Sequence, residues 1–115
     1  MPVQGAQNDP RLDALFVELA NAESTEDAEP IEQTIWKIWL LSGNGAVDAD
    51  MLRGLQAMGR NDNETAVEYF TSVIDALPDF AEGWNKRATA HYLLGRFDAA
   101  VIDIQKTLAL EPRHF

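Results

Sequence analysis

Small and apolar residues recur at a fixed interval of 34 positions in the second half of the chain. The matching pairs are Gly54 and Ala88, Ala66 and Ala100, Val67 and Val101, Phe70 and Ile104, Val73 and Thr107, Ile74 and Leu108, and Pro78 and Pro112. A period of roughly 20–50 residues is typical of repeat proteins. Because one such unit cannot bury its apolar stripe alone, the pattern predicts two helix–turn–helix units that stack on each other.

The spacing of apolar residues predicts an all-α fold, because it follows helices and no segment alternates like a strand. We expect six helices in three antiparallel pairs. The first begins at Asp9-Pro10 and ends near Asn21, and the others span about 26–41, 47–58, 64–77, 81–94 and 97–110. The predicted organisation is a disordered start over residues 1–8, a divergent helical pair over 9–45 that packs on the repeats, and two repeats over 46–115.

Capping residues support these boundaries. Asp9 is expected to cap the first helix, with Pro10 at its first position, where a missing N–H costs nothing. Thr25 is expected to cap the second helix, with Pro30 still within reach of its first turn. Ser42-Gly43-Asn44-Gly45 is a helix stop.

The turns inside the two repeats are expected to differ. Asp62 or Asn63 should cap the second helix of the first repeat. Gly95 should need positive φ in the second repeat. The turn Gly59-Arg60-Asn61-Asp62-Asn63 is expected to be two residues longer than the turn at Gly95-Arg96.

The second helix has an unusually wide apolar face that includes Trp36 and Trp39. The two tryptophans could form an aromatic pair that binds a partner, but large apolar residues at helical spacing are normally buried, so the core interpretation is favoured. The first helix should cover one side of this face and the first repeat the other.

The last helix is expected to turn a stripe of Phe97, Val101, Ile104 and Leu108 inward, with Ile102 and Leu110 off that stripe. It lacks the polar outer face of a solenoid cap. Two interpretations stay open. Either the chain is part of a longer repeat protein, with Arg113-His114-Phe115 where another repeat would begin, or its end packs on another chain, for example as a homodimer.

Charge and composition exclude several classes of function. The net charge is −10, of which residues 1–50 carry −8 (ten acids, two bases) and residues 51–115 carry −2 (nine acids, seven bases). This charge disfavours nucleic acid and anionic membranes and favours a basic partner. Cysteine is absent and no apolar run reaches the length of a membrane span. The compartment stays open between cytoplasm and, if a signal peptide was removed, periplasm.

Candidate chemistry is sparse. His91 and His114 lie 23 positions apart, without the cluster of carboxylates or cysteines that a metal needs. His91 is better explained as a semi-buried histidine that bonds to a neighbour. The acidic residues at 26–29 and 48–50 suit the positive ends of helices. We therefore predict no catalytic residue, no metal and no cofactor.

The second repeat resembles a tetratricopeptide repeat. The residues that carry the resemblance are Trp84, Ala88, Gly95, Ala100, Ile104 and Pro112. The first repeat keeps Gly54, Ala66, Phe70 and Pro78 but lacks the early aromatic residue. The resemblance covers about the C-terminal 65–70 residues and implies a right-handed superhelix of helical pairs.

In that family, partner segments commonly lie in a groove lined by the first helix of each repeat. The positions that match this lining are Met51, Leu55 and Met58 in the first repeat and Glu82, Asn85, Lys86, Thr89, Tyr92 and Leu93 in the second. The resemblance implies a non-catalytic adaptor that binds a protein or peptide segment. Packing of the three first-repeat residues against the tryptophan helix is an alternative use of that surface. The alternative function is a structural capping or oligomerisation segment without a peptide ligand.

Overall fold

The computed structural model describes residues 7–115, which form six α-helices and no β-strand. The helices are α1 (Arg11–Ala20), α2 (Thr25–Leu40), α3 (Gly45–Gly59), α4 (Asn63–Ala76), α5 (Ala81–Leu93) and α6 (Phe97–Leu110). The all-α prediction is confirmed, and each boundary lies within two residues of its predicted place. The predicted disorder of residues 1–8 falls mostly outside the described residues; Gln7 is buried.

The N-terminal helices begin with side-chain acceptors. Helix α1 begins at Arg11 with Pro10 as its N-cap residue, so the prediction of Asp9 as the cap and Pro10 as the first helical residue is wrong by one position. The backbone N–H of Arg11 still donates to Asp9 Oδ1 at 2.9 Å. The cap of α2 is Ser24, not Thr25, because the extended backbone of Ser24 lets its Oγ accept from the Asp27 N–H at 3.1 Å. Pro30 lies in the second turn of α2, beyond the first turn where we placed it.

The described residues divide into two compact units, one up to residue 43 and the other over 44–115. In the first unit, α1 and α2 share a core of Leu12, Ile35, Ile38 and Trp39. The ring of Trp39 lies 5.1 Å from that of Trp36 and 5.9 Å from that of Phe16, centroid to centroid. Trp39 is buried, as the core interpretation predicts, and Trp36 is half-buried at the edge of this core.

The second unit is a series of two hairpins in which α3 packs on α4, α4 on α5 and α5 on α6. Asn44 caps α3 through Oδ1, which accepts from the N–H groups of Ala46 and Val47 at 3.0 and 3.2 Å. Asp62 caps α4, where its Oδ1 accepts from the Thr65 N–H at 3.3 Å. The choice between Asp62 and Asn63 is thereby decided.

The turns within the two hairpins have the same length, contrary to the prediction. Helix α3 continues through Gly59, so three residues separate α3 from α4, as three separate α5 from α6. The left-handed position is Asn61 in the first turn (φ 62°) and Gly95 in the second (φ 77°), 34 residues apart. Asn tolerates this conformation because its short side chain can hydrogen-bond locally.

The orientation of α6 also corrects the prediction. Phe97, Val101, Ile104 and Leu108, which we call the α6 stripe, were expected to face inward, but their exposed fractions are 44–58%. The buried face of α6 consists of Ala100, Asp103 and Thr107. The stripe turns away because α5 meets α6 through small residues and a buried ion pair rather than through the bulkiest side chains of the helix.

Candidate partner-binding surface

The nine predicted groove residues lie on α3 and α5, the first helices of the two hairpins. Thr89, Tyr92 and Leu93 are exposed, and the exposed fractions of the last two are 63% and 55%. Four more are half-buried: Leu55, Met58, Asn85 and Lys86. Met51 and Glu82 lie in the interior, with exposed fractions of 3% and 1%. Seven of the nine are therefore at least partly accessible to solvent.

Glu82 organises the polar edge of this surface from inside. Its Oε2 accepts a hydrogen bond from Asn85 Nδ2 at 3.3 Å and lies 3.8 Å from Lys86 Nζ. Its Oε1 contacts Nε2 of His114, whose side chain is also buried. A buried carboxylate needs such partners, because burial without them would cost several kcal/mol. The carboxylate therefore holds the rim residues in place, and the residues after α6 fold back to meet it.

The exposed part of α5 is mainly apolar. The Thr89 hydroxyl donates to the Asn85 carbonyl at 3.2 Å, so its hydrogen bond is made within the helix. The Tyr92 ring contacts the Phe97 ring at 5.4 Å in an edge-on arrangement. Edge-on contacts between aromatic rings are favourable beyond the area that they bury, so this contact helps to hold the Tyr92 ring in place. Tyr92 therefore joins the α5 surface to the beginning of the α6 stripe.

An ion pair that the sequence analysis missed lies beneath this surface. Arg87 Nε donates to Asp103 Oδ2 at 2.8 Å, and Nη2 donates to Oδ1 at 2.9 Å. Arg87 Nη1 also lies 3.4 Å from Thr71 Oγ1, so one guanidinium connects α4, α5 and α6. The signal in the sequence is that Asp103 shares a helical face with Ala100 and Thr107, a small-residue face that normally packs on a neighbour.

His91 lies beside this pair, with Nε2 at 3.8 Å from Asp103 Oδ2. Burial lowers the pKa of His91, and the nearby Arg87 lowers it further, while Asp103 acts in the opposite direction. Its buried Nδ1 has no hydrogen-bond partner among the described residues. Across residues 7–115, no group of three or more histidine, cysteine or acidic side chains is placed to hold a metal ion.

Comparison with known proteins agrees with this architecture. Residues 81–114 match the family model described as "Tetratricopeptide repeat". A TPR repeat-containing protein of Rhizobium etli is 33% identical over 105 residues, which are 91% of this chain and 52% of the relative. The Small glutamine-rich tetratricopeptide repeat-containing protein 2 of Saccharomyces cerevisiae is 33% identical over 90 residues, 78% of this chain and 26% of the relative.

A Protein SGT1 homolog of Oryza sativa is 42% identical over a shorter stretch of 52 residues, 45% of this chain and 14% of that relative. The chain thus spans about half the length of the Rhizobium etli relative and much smaller shares, 26% and 14%, of the other two. With its 34-residue period and its helical hairpins, the chain belongs to the tetratricopeptide-repeat family.

Membership supports a protein–protein interaction module, because tetratricopeptide-repeat proteins are generally non-enzymatic scaffolds. Among the described helices, none is both long enough and apolar enough to cross a membrane. The functional question is therefore which surface meets which kind of partner.

Proposed function

We propose that the chain is an adaptor that binds a peptide or protein segment along the first helices of its two repeats. The observation that carries this proposal is the exposed α5 surface of Thr89, Tyr92 and Leu93, beside the rim residues that Glu82 holds. A contiguous patch of exposed side chains beside ordered polar groups indicates an interaction surface, whereas a single exposed apolar residue is common on any protein surface.

The chemistry of this surface suits an apolar or amphipathic segment. Leu55 and Met58 supply half-buried apolar side chains on α3. Methionine adapts its shape to different partners because its side chain is unbranched and polarizable. Asn85 and Lys86 already contact the Glu82 carboxylate, so a partner's carboxylate would have to compete with it. The proposed partner is therefore held by apolar contacts, with the polar rim fixing its register.

The negative charge of the chain further limits the class of partner. The chain as a whole carries −10 and repels acidic segments over long range. An apolar segment flanked by Lys or Arg would approach faster and bind more tightly at low salt than the same segment flanked by Asp or Glu.

The test is a selection of 12-residue peptides from a phage-displayed random library on the wild-type chain. Selected peptides are then measured by fluorescence anisotropy against the double variant Thr89→Ala with Leu93→Ala. The expected loss of affinity is about tenfold or more, since removal of one buried apolar contact is worth about 1.5–3 kcal/mol. Circular dichroism should show unchanged helicity, because alanine favours the helix at both positions.

Ile102→Ala is the matched control, because Ile102 is as exposed as Leu93 but lies on α6. It should leave binding unchanged. If the library yields no binder, or if the selected peptides bind the double variant as well as the wild type, the groove proposal is wrong.

A structural role, as a capping or oligomerisation segment, is the second candidate. The observation that favours it is the exposed α6 stripe, which a homodimer through the last helices would cover. Light scattering over a hundredfold dilution distinguishes the two functions. A mass that falls from dimer to monomer supports the structural role, and a constant monomer that binds selected peptides supports the adaptor.

A further inference from the structure

One side of the first unit leaves aromatic rings partly in water. The buried ring of Trp39 contacts Phe16 of α1 at 5.9 Å and Trp36 of α2 at 5.1 Å, centroid to centroid. Phe16 and Trp36 are half-buried, so both outer rings keep part of their surface accessible. Tryptophan is among the residues that contribute most to binding at protein–protein interfaces. The partly accessible Trp36 ring is therefore a place to look for a partner contact.

Trp36 lies on a line of four residues along α2, which we call the α2 face: Glu29, Glu32, Trp36 and Leu40. Their spacings of three, four and four positions place them on one side of the helix. Glu29 is exposed and the other three are half-buried. The face therefore offers an aromatic ring and an aliphatic side chain toward the end of α2, with one carboxylate a turn before the ring and another further back.

The Glu32 carboxylate has no hydrogen bond or ion pair among residues 7–115, although its side chain is half-buried. Glu82 of the second unit differs, because three polar side chains contact its buried carboxylate. A carboxylate that is partly withdrawn from water loses hydration, which a donor or a cation can replace. Glu32 therefore favours a cationic partner that the described chain does not supply.

The charge of the first unit also favours a cation. Residues 1–43 carry −6 (eight acids, two bases). The two bases are Arg11, which pairs with Asp9 at 2.8 Å, and Lys37, which lies about 100° around α2 from Trp36. Since opposite charge speeds association and disfavours wrong partners, a cationic segment with apolar side chains is the complement of the α2 face.

The second unit already contains a tryptophan, an arginine and a carboxylate in contact. The guanidinium carbon of Arg87 lies 5.1 Å from the centroid of the Trp84 ring. The same guanidinium donates two hydrogen bonds to Asp103, at 2.8 and 2.9 Å. One arginine therefore contacts a ring and a carboxylate together. Lysine is less suited to this, because its ammonium group is a compact charge without a flat face or a two-pronged donor.

We infer that the α2 face binds an arginine carried by an amphipathic helix of a partner protein. The guanidinium stacks on Trp36 and donates to Glu32, as Arg87 does with its own ring and carboxylate. Trp36 and Leu40 are one turn apart, so a leucine three or four positions from the arginine contacts Leu40 when the partner runs along α2. This surface belongs to the first unit, and the inference does not depend on the groove proposed above.

The probe is a synthetic helical peptide of about 16 residues, labelled with fluorescein, with leucines along one face, three arginines beside them and alanine elsewhere. Alanine favours the helix, which is otherwise marginal in water at this length. A second peptide carries lysine, and a third glutamate, in place of every arginine. Binding to the full chain is measured by fluorescence anisotropy, and circular dichroism reports the helicity of each peptide and each protein variant.

The protein variants separate the ring from the charge. Trp36→Leu keeps an apolar side chain and removes the ring, whereas Glu32→Gln keeps the shape and removes the charge. Glu18→Gln is the matched control, because Glu18 is an exposed carboxylate of the same unit, on α1. We expect each of the first two changes to weaken binding of the arginine peptide about fivefold or more, and Glu18→Gln to change it by less than about twofold.

The peptide series tests the chemistry of the partner. The lysine peptide should bind at least about threefold more weakly than the arginine peptide, because it cannot stack and pair at the same time. The glutamate peptide should not bind, because its carboxylates meet Glu29 and Glu32.

Three results would overturn the inference. The first is no binding of the arginine peptide. The second is an equal loss from Glu18→Gln and Glu32→Gln, because the peptide would then respond only to net charge. The third is an affinity that a folded Trp36→Leu leaves unchanged, or a lysine peptide that binds as well as the arginine peptide.

A loss of helicity in Trp36→Leu moves the decision to the pair Glu32→Gln and Glu18→Gln, which keep every apolar contact. Failure of this inference leaves the groove proposal standing, since the library peptides are judged by Thr89 and Leu93 on α5.

Discussion

The two tetratricopeptide repeats of this chain share a sequence pattern and differ in how their parts are buried. In the first repeat, Phe70 fills the space against Gly54, where an added Cβ would lie 2.4 Å from the ring. In the second, the matching Ile104 is exposed, and the hairpin is joined instead by the Arg87–Asp103 pair. The comparison teaches that one repeat closes its hairpin by close apolar packing, whereas the other closes it by a buried polar contact.

The arginines at matching positions of the two repeats also differ in burial and in their ion-pair partners. Arg53 and Arg87 are 34 residues apart. Arg53 pairs with Asp50 at 3.2 Å at the surface, where its side chain is 55% exposed. Arg87 makes a two-pronged contact to Asp103, whose side chain is almost completely buried. The same position of the repeat therefore carries a solvent-exposed charge in the first repeat and a buried ion pair between α5 and α6 in the second.

The largest contrast is expected from truncation of the two stripes. Phe70→Ala should reduce the free energy of unfolding by about 3–5 kcal/mol, because it leaves a cavity in a filled site. Ile104→Ala should cost less than about 1 kcal/mol, since much of that side chain is already in water. Urea unfolding followed by circular dichroism measures both. Equal costs would mean that the α6 stripe is buried in solution, and the contrast between the repeats would fail.

The ion pairs give the next contrast. Asp103→Ala should cost about 3–5 kcal/mol, because it leaves the Arg87 guanidinium partly buried without its carboxylate. Asp50→Ala removes the matching surface pair and should cost less than about 1 kcal/mol. The double variant Arg87→Leu with Asp103→Leu should recover much of the loss, which urea unfolding can verify. If Asp103→Ala and Asp50→Ala cost the same, the pair does not tie the second hairpin together.

Glycine substitutions sharpen the comparison at the level of close packing. Gly54→Ala should cost about 1–3 kcal/mol, because the Phe70 ring cannot move away from the new methyl group within a filled core. Gly59→Ala is the control, since a Cβ there meets nothing within 4 Å. It should stabilise the chain by up to about 1 kcal/mol through helix propensity. Thermal melts of both variants decide the point, and stabilisation by Gly54→Ala would show that the contact is loose.

The smallest effect concerns His91, which exists only in the second repeat, since Ala57 occupies the matching position. Burial lowers the pKa of His91 below its ordinary 6.5, with Arg87 and Arg96 adding to the effect and Asp103 and Glu64 opposing it. The unfolded chain therefore binds a proton more readily than the folded one as the pH falls. Stability from the neutral form is present above about pH 6.5 and declines below it.

The measurement is the difference in unfolding free energy between the wild type and His91→Gln, at about pH 7.5 and pH 5. The glutamine variant cannot take up this proton, so it should lose less stability on acidification, while the carboxylates contribute equally to both chains. A variant that loses as much as the wild type would show that His91 does not titrate differently on folding.

Part of the candidate surface followed from the chain alone. Helical spacing and the family pattern placed Tyr92, Leu93 and Thr89 together on the first helix of the second repeat, and the structure leaves all three exposed. The same pattern placed Glu82 among them, and the fold buries it against His114. That contact joins residues 32 positions apart, at the two ends of a hairpin, and no local periodicity reports it.

The sequence by itself determined the all-α class, the 34-residue repeat, the six helices and the left-handed glycine at position 95. Each of these depends on local physics: the period of apolar residues, the capping side chains and the backbone freedom of glycine. Tertiary structure alone decided that α6 turns Asp103 inward and its apolar stripe outward. A helical period says which residues share a face, but the face that is buried depends on the neighbour that packs against it. On α6 the face that carries Asp103 is buried, because Asp103 pairs there with Arg87 of α5.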